Sequence, residues 1–436
     1  MAPEAEAGDH GLRDHHPNAM GHEKQDCPAK SAKKFSSSVT MSNSADANGK
    51  SIDLYDFQIE KIIEKGKKLD AKHIGLQFPE GFLEYATEIS RRIGEGADCE
   101  VTVMADAVFG ACCVDDLACR SQGIDFLVHF GHSCLIPVDQ TVVQTMYVPV
   151  TMKFSYEHLI ETIKYNFPNT HRIALQGTIQ FSNVLPIVMT RLQEDGYTVQ
   201  IPRAKPLSAG ETLGCTAPEI TGADILVFVA DGRFHIEAAM MANPEIPAFR
   251  YDPFTNRFFN EFLSINELNR SRLDQMKKVS KKQVKSVGLI LGTLGRQGSV
   301  GVLESLKELL RERNIESFTV LISEISPEKL RRFGDSSVDA WVQVACPRLS
   351  IDWGESYGVP LLSSFEAFKL WGSTETEGFE SIESDFHIPM DYYSNDAGPW
   401  GNYAARKGGW AGITDWKFWH MGPGKDTLEP LVISRK

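Results

Sequence analysis

One pattern recurs three times along this chain and constrains its fold more than any other feature. A short strand, a glycine-containing loop, an amphipathic helix, a second strand and a third strand opening on an acid follow in the same order each time. The first strands are Ile74-Gly75-Leu76-Gln77, Ile173-Ala174-Leu175-Gln176 and Val287-Gly288-Leu289-Ile290. The helices run from Phe82 to Ile93, Val184 to Leu192 and Val302 to Leu310; the second strands are Glu100 to Met104, Thr198 to Ile201 and Ser317 to Ile322. Asp125, Asp224 and Asp339 open the third strands. Strands separated by helical segments mark βαβ units and parallel sheets. The chain is therefore predicted to be α/β: three sequential small parallel-sheet βαβ domains of similar fold around a pseudo-threefold axis, with a disordered N-terminal tail.

The predicted boundaries are a tail at 1–50, domains at 51–152 and 153–265, a basic linker at 266–286, a third domain at 287–374, and an acidic, Trp- and Gly-rich C-terminal tail at 375–436. The first 50 residues have too few large apolar side chains to repay the entropy of ordering. Their His10, His15, His16, His22 and Cys27 read as parts of a solvated tail. The linker's Arg270, Arg272, Lys277, Lys278, Lys281, Lys282 and Lys285 suit a solvated connecting helix, or a docking face for an acidic or RNA surface. Trp400, Trp410, Trp416 and Trp419 suit a clamp over a neighbouring domain or subunit better than a ligand cage.

Charge narrows the partners. With 45 Lys and Arg against 58 Asp and Glu, a net charge of -13 opposes nonspecific capture by nucleic acid or anionic lipid. No apolar run reaches the roughly 18 residues that span a bilayer, and the first 30 residues lack a secretory core. Glu4, Glu6 and Asp9 disfavour a mitochondrial presequence. The expected location is cytoplasmic.

The 8 cysteines are too few for a disulfide scaffold, and none form a CxxC pair. Their place in the repeat carries the information. Cys112 and Cys215 each follow the second strand of their repeat, and Cys346 follows the third strand of the last. Open α/β sheets bind ligands beyond the carboxyl ends of their strands, so a pseudo-threefold arrangement brings the three thiols to one point. Three thiolates suit a 4Fe-4S cluster with one iron left open, whereas a structural zinc favours four closed ligands. The competing reading is three small buried residues. Cys99 and Cys119 read as packing residues, Cys134 as a residue that ends the third strand of the first repeat, with a place near the site as its lesser alternative, and Cys113 as an alternative to Cys112.

The segment Gly292-Thr293-Leu294-Gly295-Arg296-Gln297-Gly298-Ser299 is neither a P-loop nor a dinucleotide fingerprint. It is either a plain tight turn or a helix-start loop whose N–H groups meet a carboxylate or phosphate. In the second case Gly295, Gln297 and Gly298 contact a cofactor, and Arg348 and Asp352 grip an amino acid moiety.

Several ordered motifs carry a family resemblance over about residues 52 to 404. They are Gln77-Phe78-Pro79-Glu80-Gly81, the run from Phe109 to Asp116, Lys205-Pro206-Leu207-Ser208 with Leu213-Gly214-Cys215-Thr216, Phe249-Arg250-Tyr251-Asp252-Pro253, and the run from Ala345 to Gly354. Together they resemble the 2-(3-amino-3-carboxypropyl)histidine synthases of diphthamide biosynthesis. The resemblance implies a 4Fe-4S cluster on Cys112, Cys215 and Cys346, with S-adenosylmethionine at the open iron. It also implies radical transfer of the 3-amino-3-carboxypropyl group to imidazole C2 of a histidine in elongation factor 2. The implied partners are a related second synthase subunit and a small metal-binding electron donor. Two alternatives stand beside it: a quinolinate-synthase-like 4Fe-4S dehydratase or condensing enzyme, and a non-catalytic scaffold subunit.

Overall fold

The computed structural model describes residues 54–334, 337–372, 379–384 and 386–402. The predicted tail at 1–50 and Trp410, Trp416 and Trp419 lie outside them. The first strands of the chain are β1 (Tyr55–Asp56), β2 (His73–Gln77), β3 (Glu100–Met104), β4 (Phe126–Phe130), β5 (Gln144–Val148) and β6 (Thr151–Met152). The second group is β7 (Arg172–Gly177), β8 (Thr198–Gln200), β9 (Ile225–Val229), β10 (Ala248–Asp252) and β11 (Arg257–Glu261). The third is β12 (Ser286–Gly292), β13 (Glu316–Ile322), β14 (Ala340–Val344) and β15 (Leu361–Ser363).

These strands build three sheets of matching order: β3-β2-β4-β5, then β8-β7-β9-β10 extended by β11, then β13-β12-β14-β15. Every pairing within them is parallel except β10 with β11, while β1 and β6 form a short antiparallel ribbon. The α/β class with parallel sheets is thus as the sequence implies. In each sheet the chain steps outward from its first strand to its second, then crosses back to the third. That reversal is the switch point where the loops at the carboxyl ends diverge and leave a crevice.

The acid at each third strand has a physical job. Asp125 accepts hydrogen bonds from the Lys72 and His73 N–H groups at 3.0 and 3.3 Å. Asp224 accepts from Arg172 N at 2.8 Å, and Asp339 from Lys285 N and Ser286 N at 2.8 and 3.1 Å. Each carboxylate satisfies the N–H groups that open the neighbouring strand and so sets the register of the central pair. The third strands β4, β9 and β14 are buried along their whole length, as expected for parallel strands covered on both faces.

The basic linker is not merely a solvated connector. Residues Ile265–Ser280 form a helix whose Arg272, Gln275, Met276 and Val279 are buried. The guanidinium of Arg272, fully buried, donates to Glu366 Oε1 and Oε2 at 2.6 and 2.9 Å and to the Leu361 carbonyl at 2.8 Å. Gly354 leaves it room, since a Cβ there would lie 2.0 Å from Arg272 Nη1. No helix among the described residues is long and apolar enough to cross a membrane. Removing one member of a buried pair strands the other charge, so Arg272→Leu is expected to cost about 3–5 kcal/mol. Arg272→Leu combined with Glu366→Leu is expected to recover part of that loss in urea unfolding.

Candidate metal centre

The Cys112 loop leaves the carboxyl end of β3 and makes a tight turn at Ala111–Cys113 before the helix Asp116–Ser121, capped by Asp115. Gln77, at the end of β2, organises that turn. Its Nε2 donates to the Cys113 carbonyl at 2.9 Å, and its Oε1 accepts from Asp115 N at 3.2 Å. The same oxygen meets His129 Nδ1 at 2.8 Å, and His129 Nε2 meets His132 Nδ1 at 3.0 Å. Burial pushes His132 down to about 3 and His235, across from it, down to about 4, so both imidazoles are neutral at neutral pH.

The glycine loop of the third repeat closes on this turn. Gly295 is left-handed (φ 54°), and a Cβ on it would lie 2.4 Å from the Cys113 backbone. Arg296 N donates to the Cys112 carbonyl at 2.8 Å, and its guanidinium grips the buried Asp116 at 2.7 and 2.6 Å. Gln297 Nε2 donates to Cys113 Sγ at 3.3 Å. Gly298 packs against the Gly292 carbonyl and Leu291. Gly295, Arg296 and Gln297 thus contact the Cys112–Cys113 turn.

Cys215 sits at the tip of a tight turn closed by Leu213 N donating to Thr216 O at 2.8 Å. Arg348, just past Cys346, binds that turn from the third sheet. It donates to the carbonyls of Gly214 and Phe234 at 3.2 and 3.0 Å, to Glu237 at 2.9 Å and to Asp352 at 2.9 Å, with Phe234 4.4 Å beneath it. Asp352 and Arg348 thus pair with each other, and the guanidinium is engaged by protein partners on all three nitrogens. Gln343 fixes the third turn, donating to the Cys346 carbonyl at 3.0 Å.

The three thiols lie within electrostatic reach of one another. Cys112 is pushed well up by its hydrogen bond to Cys113, by burial, and by the sulfurs of Cys113, Cys215 and Cys346. Burial and the neighbouring Cys346 push Cys215 up to about 12, while burial pushes Cys346 up to about 11. Cys112 and Cys215 share an apolar cluster with Ala111, Leu213, Tyr392 and Tyr393, and Cys346 acts electrostatically on Tyr393. Among the described residues, no three His, Cys, Asp or Glu side chains are placed to hold a single metal ion. Thiols that feel one another form a soft sulfur donor set of the kind that iron–sulfur clusters take.

Cys134 is exposed in the loop after β4 and its sulfur faces the Ile136 carbonyl at 3.6 Å. Cys119 is a packing residue with Val114, Ile124 and Leu127, and Cys99 packs half-buried against the first core. The sequence reading missed Gln77, His129, His132, His235, Thr216, Tyr392 and Tyr393. Only Gln77 left a signal, because Gln176 recurs at its place in the second repeat.

Fold and site define an α/β protein that brings one cysteine from beside each of three largely parallel sheets within electrostatic reach of the others. A family model of diphthamide synthesis proteins matches residues 78–380. The chain is 44% identical over 348 residues to the 2-(3-amino-3-carboxypropyl)histidine synthase subunit 1 of Nematostella vectensis, covering 79% of this chain and 72% of that one. It is also 44% identical over 355 residues to the Schizosaccharomyces pombe protein of the same name, covering 79% of each. The crystal structure of Dph2 from Pyrococcus horikoshii with a 4Fe-4S cluster superposes with a TM-score of 0.63 at 25% identity, over 77% of this chain and 94% of that one. The chain belongs to the diphthamide synthesis family, among its 2-(3-amino-3-carboxypropyl)histidine synthase enzymes.

The Arg296 pair makes a prediction about the first turn. Asp116→Ala leaves a mostly buried guanidinium unpaired and is expected to cost about 3 kcal/mol or more. In metal-free protein, Cys112 is expected to alkylate faster than in wild type, as read by peptide mass mapping; an unchanged rate would deny the clamp.

Proposed function

We propose that Cys112, Cys215 and Cys346 hold a 4Fe-4S cluster, and that the chain transfers the 3-amino-3-carboxypropyl group of S-adenosylmethionine to imidazole C2 of a histidine in elongation factor 2. The observation that carries this reading is the electrostatic contact among three thiols from three separate loops, Cys215 buried and Cys112 and Cys346 partly so. A relative of the same fold, with a 4Fe-4S cluster in its crystal structure, supports it. Cys112 is preferred to Cys113 because its sulfur feels both Cys215 and Cys346, whereas Cys113, which acts on Cys346, is more deeply buried and takes its hydrogen bond from Gln297.

When bound and reduced, such a cluster supplies one electron to the sulfonium, whose bond to the aminocarboxypropyl carbon breaks to give methylthioadenosine and a carbon radical. The chain's own residues prepare the place for that event. Arg296 and Arg348 hold the first and second cysteine turns against the third sheet, which fixes the separation of the sulfurs before any substrate arrives. The apolar wall of Ala111, Leu213, Tyr392 and Tyr393 excludes water, which protects a carbon radical from side reactions. Neutral His132 and His235 keep added positive charge away from a cationic sulfonium.

The relatives' designation as a first subunit supports a complex with a related second subunit. A small metal-binding protein serves as electron donor, and the complex works in the cytoplasm. The test uses anaerobically purified complex assayed for iron, sulfide, paramagnetic resonance after dithionite reduction, and methylthioadenosine formed with elongation factor 2. Wild type is expected to carry four irons and to form methylthioadenosine. Cys346→Ala is expected to lose the signal and at least about 10²-fold in rate. Zinc without iron, or full activity in Cys346→Ala, contradicts the proposal and favours a structural-zinc or scaffold role.

A further inference from the structure

The segment from Met390 to Asn402 belongs to none of the three sheets, yet it lies directly on the cysteine turn of the second. Ala217 N donates to the Met390 carbonyl at 2.8 Å, Asp391 pairs with Thr216 as an isolated bridge, and Tyr392 N donates to the Cys215 carbonyl at 3.4 Å. Trp400 Nε1 donates to Asp391 Oδ1 at 2.8 Å and Asn402 N to the Tyr392 carbonyl at 2.8 Å, which ties the segment back on itself. The result is a strap seated by main-chain bonds.

The strap delivers one side chain into the thiol pocket. Tyr393 is 3% exposed, its ring packs in the cluster that contains Cys112 and Cys215, and its hydroxyl is hydrogen-bonded to the Cys112 sulfur. Its main-chain N–H donates to Thr216 Oγ1 at 3.0 Å. An alcohol oxygen that accepts from an N–H still has its own hydrogen to give, and Thr216 Oγ1 lies 3.8 Å from Cys215 Sγ. Two hydroxyls thus face two of the three sulfurs, and the strap positions both. A metal-bound thiolate can only accept, so both contacts become O–H to sulfur bonds once the site is filled.

We propose that Tyr393 and Thr216 are positioning residues that set the reduction potential of the cluster held by Cys112, Cys215 and Cys346. The inference rests on the cluster reading above. Hydrogen bonds to cluster sulfurs favour the more negative, reduced form and raise the potential. Reduction adds one electron, supplied by dithionite in the test, and moves no proton, since each hydroxyl keeps its hydrogen. Without these two donors, an apolar pocket holding three thiolates would resist the added electron.

The experiment is an anaerobic redox titration of the full chain with its partner subunit, followed by paramagnetic resonance, on wild type, Tyr393→Phe, Thr216→Val and Thr216→Ser. Tyr393→Phe is expected to keep its iron and sulfide and to raise the oxidised-to-reduced ratio at a fixed poise about tenfold, equivalent to about 59 mV for one electron. Thr216→Val is expected to shift in the same direction, and Thr216→Ser, which keeps the hydroxyl, to stay with wild type. An unchanged ratio in iron-replete Tyr393→Phe overturns the proposal. Loss of iron in that variant also overturns it, because the hydroxyl would then hold the site together rather than tune it. If Tyr393→Phe does not fold, the Thr216 pair decides: Val and Ser titrating alike rejects the proposal. Wild type without a 4Fe-4S signal fails the preceding reading instead.

Discussion

Three sulfurs cannot carry charge side by side in an apolar pocket unless a cation stands among them. Burial and mutual repulsion hold Cys112, Cys215 and Cys346 as neutral thiols when nothing is bound, with Cys215 and Cys346 at about 12 and 11. A metal core reverses that balance by deprotonating the thiols it binds. Collecting the thiols costs the fold something, and much of the surrounding architecture serves to hold them there.

The holding is done at the carboxyl ends of parallel strands, where the loops of a doubly wound sheet diverge. Gln77 and Gln343 each donate a side-chain hydrogen bond to a carbonyl in a cysteine turn of their own sheet. Arg296 and Arg348, both from the third repeat, reach outward to the turns of the first and second. The third sheet is thus the hub to which the other two cysteine turns are fastened. The buried Arg272–Glu366 pair braces that hub from behind, between the helix Ile265–Ser280 and the segment after β15. The strap from Met390 to Asn402 then closes the pocket over Cys215.

The repeat itself was readable because it rests on short-range physics. Short β-branched and apolar runs mark the strands, and an acid that opens a third strand must satisfy the N–H groups beside it, as Asp125, Asp224 and Asp339 do. The cysteine positions followed from the same pattern. Other features depend on contacts distant in sequence. Nothing local distinguishes Arg272 from the exposed basic residues around it, and its burial follows from Glu366, 94 positions away. The loop with Gly295 and Gln297 looked suited to a cofactor because backbone exposure at a helix start resembles an anion site, and only the folded chain shows that the Cys113 turn also packs against it. Tyr392 and Tyr393 fall in a segment without period, so only the folded chain places them against the thiols.

The most direct measurement is the Mössbauer spectrum of anaerobic, 57Fe-loaded complex, recorded with and without S-adenosylmethionine. Three cysteines around a four-iron core leave one iron chemically distinct. The account predicts four irons per chain, one of whose signals shifts when S-adenosylmethionine is added while the other three hold. Iron bound as a single mononuclear site, or no iron at all beside stoichiometric zinc, would contradict it.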